Sequence, residues 1–159
     1  MHIHCCTGMY FIEYRYFKIV LRMIFVGKSE APYAPIEKDY RNRLGSFGNV
    51  VVVETKESKG TLRLDEEADG IRKSSRGNLY ITSQSGKEIS EKEIYKIFES
   101  SFTQDISIAV GGPFGTSDML KGERISLLRL TFSHGLFRVM LLEQMYRQAM
   151  SLRGSAYGK

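Results

Sequence analysis

The amino-acid sequence predicts an α/β protein built on a mostly parallel sheet. Strand-length aliphatic runs alternate with segments of helical apolar spacing along the chain. The run Val50 to Val53 is apolar at four consecutive positions, the pattern of a strand buried on both faces of a parallel sheet. Three loops that follow strands carry glycine, serine, threonine or histidine, where such a sheet places its ligands.

The first strand is expected over about Ile19 to Val26, ending at Gly27-Lys28. Pro32 and Pro35 mark entry to a helix in which Tyr33, Ile36, Tyr40 and Leu44 recur at near-helical spacing. Val50 to Val53 is the second strand. The polar stretch Glu57 to Gly77 carries a thin apolar face of Leu62, Leu64, Ala68 and Ile71; it reads as a helix weakened by Gly70. Leu79 to Ser83 is the third strand, followed by a turn at Ser85-Gly86-Lys87. Ser90 and Glu93 form a capping-box pattern opening a helix with Ile94, Ile97 and Phe98 on its inner face. A fourth strand, Ile106 to Val110, runs into Gly111-Gly112-Pro113-Phe114-Gly115, and a fifth covers about Leu127 to Phe132. The longest helix follows, roughly His134 to Leu152, stopped by Gly154.

At 159 residues and 42% hydrophobic content the chain can bury one compact core without a second full domain. A net charge of +5 and pI near 9.2 favour an anionic partner such as RNA. Cys5 and Cys6 are adjacent, so they supply neither a disulfide framework nor a spaced zinc site. A reducing, cytoplasmic setting is expected, and the opening HIHCC is read as incidental rather than metal-binding. Glu13, Arg15, Lys18 and Arg22 interrupt the apolar stretch Met9 to Val26, leaving no membrane span.

The segment VGGPFG lacks the Gly-Lys-Ser/Thr ending of a phosphate-binding loop and does not match GxGxxG. Glycines there let backbone approach a flat ligand, although an ordinary tight turn has the same composition. His134 and Arg138 lie four apart at the start of the long helix and share a face. Glu143 and Arg147 are a second such pair, more often a salt bridge than a catalytic couple.

The pairing of VGGPFG with TFSHGLFR, followed by LLEQMYRQAMSLRGSAYGK, resembles the bacterial large-subunit ribosomal RNA methyltransferase H family. Members carry a Gly-Gly-x-x-Gly loop, a Thr-Leu/Phe-Pro-His segment, an Arg-Val pair, Glu-Gln-x-Tyr-Arg-Ala and a Tyr-His-Lys/Arg end. FVGKSEAPYAPIEKDYRNRLG looks like the family's opening strand and helix. The resemblance runs from about Met23 to Lys159, a single domain, with residues 1–22 an N-terminal extension of unknown role.

The resemblance implies a SPOUT-type α/β knot, a mostly parallel sheet whose C-terminal part is threaded into a deep trefoil. It implies a homodimer that uses S-adenosylmethionine to methylate the imide N3 of a pseudouridine in large-subunit ribosomal RNA, with the RNA or the assembled ribosome as its partner. Cofactor contacts carried over by position are Thr82, Gly86, Gly111, Gly112, Gly115, Leu128, Arg129, Leu130, Thr131, Phe132 and Ser133. Catalytic candidates are His134, Arg138 and Tyr157, and RNA contacts Arg147, Tyr157 and Lys159. Apolar residues of the last helix, including Phe137, Met140, Leu141 and Met145, are expected to outnumber what one buried stripe needs, the surplus meeting a partner subunit.

Two positions depart from the family pattern. Ser133 replaces a proline, with loop stiffness as the expected consequence, and Gly158 replaces the tail histidine. The second removes an imidazole from the target contact. Three readings follow: an active RNA methyltransferase, a catalytically impaired relative that binds RNA or ribosomal particles, and, more distantly, a small-molecule methyltransferase.

Overall fold

A computed structural model describes residues 20–157. Five parallel strands form one sheet in the order β2-β1-β4-β3-β5, from β1 (Leu21–Val26), β2 (Val50–Thr55), β3 (Asn78–Glu88), β4 (Ile106–Val110) and β5 (Glu123–Ser126). The helices are α1 (Ala34–Gly45), α2 (Arg63–Ser74), α3 (Glu91–Ser100) and α4 (His134–Leu152).

Alternation along β1 explains the layering, because successive side chains point to opposite faces. Leu21, Met23 and Phe25 pack with Ile106, Ile108 and Val110 beneath Leu44 of α1, Ile94, Ile97 and Phe98 of α3, and Leu141, Leu142 and Met145 of α4. Ile24 and Val26 turn the other way, with Ile81 and Ala109, against Ala68 and Ile71 of α2. The central strands are thus covered on both sides. The predicted capping box opens α3: Glu93 N donates to Ser90 Oγ at 3.3 Å, and Ser90 N donates to Glu93 Oε2 at 2.8 Å.

Three expectations need correction. β2 lies at a sheet edge, and Val51 is 45% exposed; a valine run reports strand propensity and does not distinguish an edge from a centre. Ser85-Gly86-Lys87 is not a turn but part of β3, whose register against β5 shifts between Thr82 and Lys87. Gly86 marks a close backbone approach, since a Cβ there would lie 2.7 Å from backbone atoms of Arg124 and Ile125. The last strand is Glu123–Ser126, and residues 127–133 are irregular. Their apolar side chains gave the stretch a strand-like look, but Leu128 and Leu130 are exposed and line a cleft instead of a core.

β5 sits at one edge of the sheet, yet α4 begins beside the end of central β1. Residues 127–133 therefore cross the carboxyl ends of β3 and β4. This crossing walls a cleft over those strand ends.

Candidate active site

The carboxyl ends of β3, β4 and β5 open into a cleft of about 820 Å³, within the range of about 300–1,000 Å³ typical of small-molecule sites. Three segments wall it: residues 82–85, 110–116 and 126–134. Of the carried-over cofactor residues, Thr82, Gly111, Gly112, Gly115, Leu128, Leu130, Thr131, Phe132 and Ser133 line it. Thr82 Oγ1 donates to Ala109 O at 3.1 Å, tying the first wall to the strand that runs into the second. Gln84 Nε2 donates to Thr131 Oγ1 at 2.9 Å, tying the first to the third.

At Gly111 and Gly112 a side chain would meet the protein itself, a demand for glycine separate from the approach of a ligand. A Cβ on Gly111 would lie 2.4 Å from Gly115 O and 2.6 Å from Thr116 Cγ2. One on Gly112 would meet Glu67 Oε2 at 3.2 Å and Val26 Cγ1 at 3.5 Å. Glu67 is a buried residue of α2 whose Oε1 accepts from Ser58 N at 3.0 Å. Gly115 is needed for conformation, with φ at +84°.

Two carried-over residues do not line the cleft. Gly86 is packed against β5, and the Arg129 guanidinium turns outward to Glu88 Oε2 at 2.9 Å. Ser133 does more than loosen a loop: its Oγ caps α4 by accepting from Leu136 N at 3.4 Å and meets Tyr33 OH at 3.4 Å. A serine is a strong N-cap.

His134 lines the cleft at the first turn of α4, with Nε2 3.1 Å from Val26 O. A carbonyl only accepts, so Nε2 carries the hydrogen, and in the neutral ring Nδ1 is left as the acceptor. Gly135 N donates to Glu30 Oε1 at 3.1 Å, so the start of α4 is fastened to the segment leaving β1.

Arg138, the second catalytic candidate, does not line the cleft. Its side chain is fully buried, donating from Nη2 to Glu37 Oε2 at 2.9 Å and Glu54 Oε1 at 2.8 Å, and from Nη1 to Gly27 O at 3.2 Å. Its guanidinium lies 4.5 Å from the Phe25 ring centroid. Burial alone would raise the Glu54 pKa; hydrogen bonds from Arg41 and Arg138 outweigh it and hold the carboxyl below its usual range. The i,i+4 spacing does put His134 and Arg138 on one face, with His134 on Val26 O and Arg138 on Gly27 O.

Nor does Tyr157 reach the cleft. Its ring packs edge-on against Tyr146, centroids 5.0 Å apart, and the Arg147 guanidinium sits 5.7 Å from it. Arg147 donates to Glu143 Oε1 at 2.7 Å, the expected structural pair. Burial, then a hydrogen bond with Tyr157, pushes the nearby Tyr40 phenol up to about 12. Leu141 and Met145 prove to be core residues, which leaves Phe137 and Met140 half-buried and reduces the apolar surplus assigned to a partner. Lys159, Gly158 and HIHCC lie outside the described residues.

Sequence reading missed Thr116, Asp118, Arg124 and Phe137 in the cleft wall. Arg124 donates to Thr116 Oγ1 at 2.9 Å and Ser117 O at 2.8 Å, contacts that an arginine in an unremarked polar stretch gives no signal of. Among the described residues no helix is long and apolar enough to cross a membrane, and no group of three or more His, Cys, Asp or Glu is placed to hold a metal.

Comparison with known proteins gives a concordant result. A family model described as a predicted SPOUT methyltransferase matches residues 19–158. Among similar proteins, the ribosomal RNA large subunit methyltransferase H of Lactobacillus acidophilus is 31% identical, covering 87% of this chain and 99% of that protein. Its namesake in Maridesulfovibrio salexigens is 32% identical over 86% and 96%. A putative one in Methanococcus vannielii is 30% identical over 87% and 99%. The parallel sheet, the cleft at its carboxyl ends and matches over nearly the whole length of these relatives agree: the chain belongs to the SPOUT methyltransferase family, within the group of ribosomal RNA large subunit methyltransferase H proteins.

Proposed function

We propose that this protein transfers a methyl group from S-adenosylmethionine to large-subunit ribosomal RNA, at N3 of a pseudouridine. It does so as a homodimer acting on ribosomal particles in the cytoplasm. The observation that carries the reading is the cleft closed by residues 127–133, which brings nine of the carried-over cofactor positions and His134 around one space. The donor set suits an adenosyl ligand. Backbone groups of the Gly111–Gly115 and 127–133 segments can meet the purine edge, and Leu128, Leu130 and Phe132 supply apolar walls. Bound there, S-adenosylmethionine supplies an electrophilic methyl group.

The chain's own contribution is positioning and proton handling. Walls tied by the Gln84–Thr131 and Thr82–Ala109 hydrogen bonds hold their shape before a ligand arrives. His134, its Nε2 hydrogen committed to Val26 O, takes the imide proton at Nδ1 as the target nitrogen becomes nucleophilic. Arg147 and Tyr157 meet RNA on the outer face of α4; for Tyr157 to stack on a base it must leave Tyr146. Half-buried Met140 on α4 and exposed Ile36 on α1 offer apolar surface to a partner subunit.

The test is incubation of ribosomal particles lacking the modification with labelled S-adenosylmethionine, followed by mass spectrometry of nucleosides. Label in an N3-methylated pseudouridine is expected. Label only in another nucleoside overturns the target assignment. No label together with retained particle binding favours the alternative that Gly158 raises, a relative that binds RNA without transferring methyl.

A further inference from the structure

The geometry points to Phe114 as a stacking platform for an unpaired nucleobase of the RNA substrate, at the mouth of the cofactor cleft. The inference rests on the methyltransferase reading above and adds a base-binding subsite to it. Gly112 to Gly115 form a tight turn, closed by Gly115 N donating to Gly112 O at 3.0 Å. Phe114 is its third residue and has no positive φ, which makes the turn type I, with Pro113 and Gly115 at the positions those residues favour. The turn is therefore stiff, and it aims the Phe114 ring outward: the residue is 66% exposed and lines the cleft.

Nothing in the fold requires an apolar ring there, since burial is what rewards phenylalanine in a core. What the ring does have is a guanidinium on it, with Arg63 Cζ 4.0 Å from the centroid. Arg63 is the first residue of α2, where the helix dipole disfavours a cation, so its placement is not explained by helix stability. The neighbouring loop is pinned to the same helix end, because Ser117 Oγ donates to Asp65 Oδ1 at 2.7 Å. An aromatic ring held on a stiff turn with a cation on it, beside a methyl-donor cleft, matches how proteins hold unpaired bases: rings stack on bases while cations meet the polyanionic strand. The chain's net charge of +5 has the sign that such a strand requires.

The test compares Phe114→Leu, Phe114→Tyr and Arg63→Met with the parent in the full-length protein. Calorimetry reads S-adenosylmethionine affinity, light scattering reads mass, and steady-state methylation reads KM for ribosomal particles. Phe114→Leu should raise KM for particles roughly 5- to 150-fold, the range that loss of one base–aromatic stack spans. It should leave cofactor affinity and mass unchanged, while Phe114→Tyr retains the parent's KM. Arg63→Met should weaken particle binding less than Phe114→Leu. An equal loss of cofactor affinity makes Phe114 a cofactor wall and overturns the inference, as does dissociation of an oligomer on Phe114→Leu. To separate this from the methyltransferase reading, binding of a target-helix RNA carrying 2-aminopurine is followed by fluorescence without cofactor. Quenching by the parent and by Phe114→Tyr but not by Phe114→Leu supports the platform even if no methyl is transferred; equal quenching by all three overturns it.

Discussion

Arg138→Met should be among the most damaging single changes available in this chain, although the residue touches no ligand space. The substitution keeps much of the side-chain length but removes the guanidinium. Glu37, 1% exposed, then loses its α4 partner, and Glu54 and Gly27 O each lose a donor. Breaking a buried ion pair from one side costs about 3–5 kcal/mol, because the remaining charge stays buried. At roughly 2–4 °C per kcal/mol for a chain of this size, Tm should fall by about 6–20 °C. Arg41 keeps contact with both carboxylates, which places the expectation towards the lower part of that range. Adding Glu37→Gln to Arg138→Met should restore part of the loss, since it removes a buried charge left with Arg41 as its remaining ion-pair partner. Thermal unfolding followed by circular dichroism is the assay. A Tm within about 2 °C of the parent for the single variant, under 1 kcal/mol by that conversion, would refute the reasoning. So would a double variant less stable than the sum of the singles.

Gly111→Ala should weaken S-adenosylmethionine binding more than Gly112→Ala, because its Cβ meets immovable backbone at Gly115 O where that of Gly112 meets a side-chain carboxylate; calorimetry giving the reverse order would show that ligand clearance, not loop closure, sets these positions. Deleting residues 155–159 should leave cofactor affinity unchanged and sharply reduce methylation of ribosomal particles, and Gly158→His should raise the parent's rate; a truncated protein working at full rate contradicts the tail's role. Glu93 is lowered from 4.5 to about 2, first by the hydrogen bond from Lys87 and then by those from Ser90. Its contribution is therefore present above about pH 4.5 and lost as pH falls through about 2, so the Tm gap between parent and Glu93→Gln should close over that window; a gap independent of pH contradicts it. Light scattering at micromolar concentration should give twice 18.1 kDa, and a mass of one chain refutes the dimer.

Much of the fold was legible because parallel strands and amphipathic helices write their periods directly into the chain. β4 falls on Ile106–Val110 and α4 on His134–Leu152, as the apolar runs and Gly154 indicate. The misreadings share a cause: hydrophobicity shows that a residue avoids water, not what it packs against. Val51 stands exposed on an edge strand, and Leu128 and Leu130 stand over a cleft. Gly86 reads as a turn in sequence and serves as a point of close strand approach in space. The strand-end position of the three loops was legible from the α/β pattern, but which ligand they suit came only through the joint resemblance of VGGPFG and TFSHGLFR. Spacing puts Arg138 on the face of His134 but gives no depth; one helical turn beyond His134, that face is already in the core. The tie of Glu30 to Gly135 and the stacking of Arg63 on Phe114 left no local pattern, since each joins residues far apart in the chain.

The central claim is that the cleft between residues 82–85, 110–116 and 126–134 binds S-adenosylmethionine. Isothermal titration calorimetry of the purified full-length protein with that cofactor tests it most directly, with Gly111→Ala as the comparison. The account predicts saturable binding by the parent that is lost or strongly weakened in the variant while the variant stays folded by circular dichroism. No heat of binding with the parent at millimolar cofactor, or equal affinity in both proteins, would contradict it.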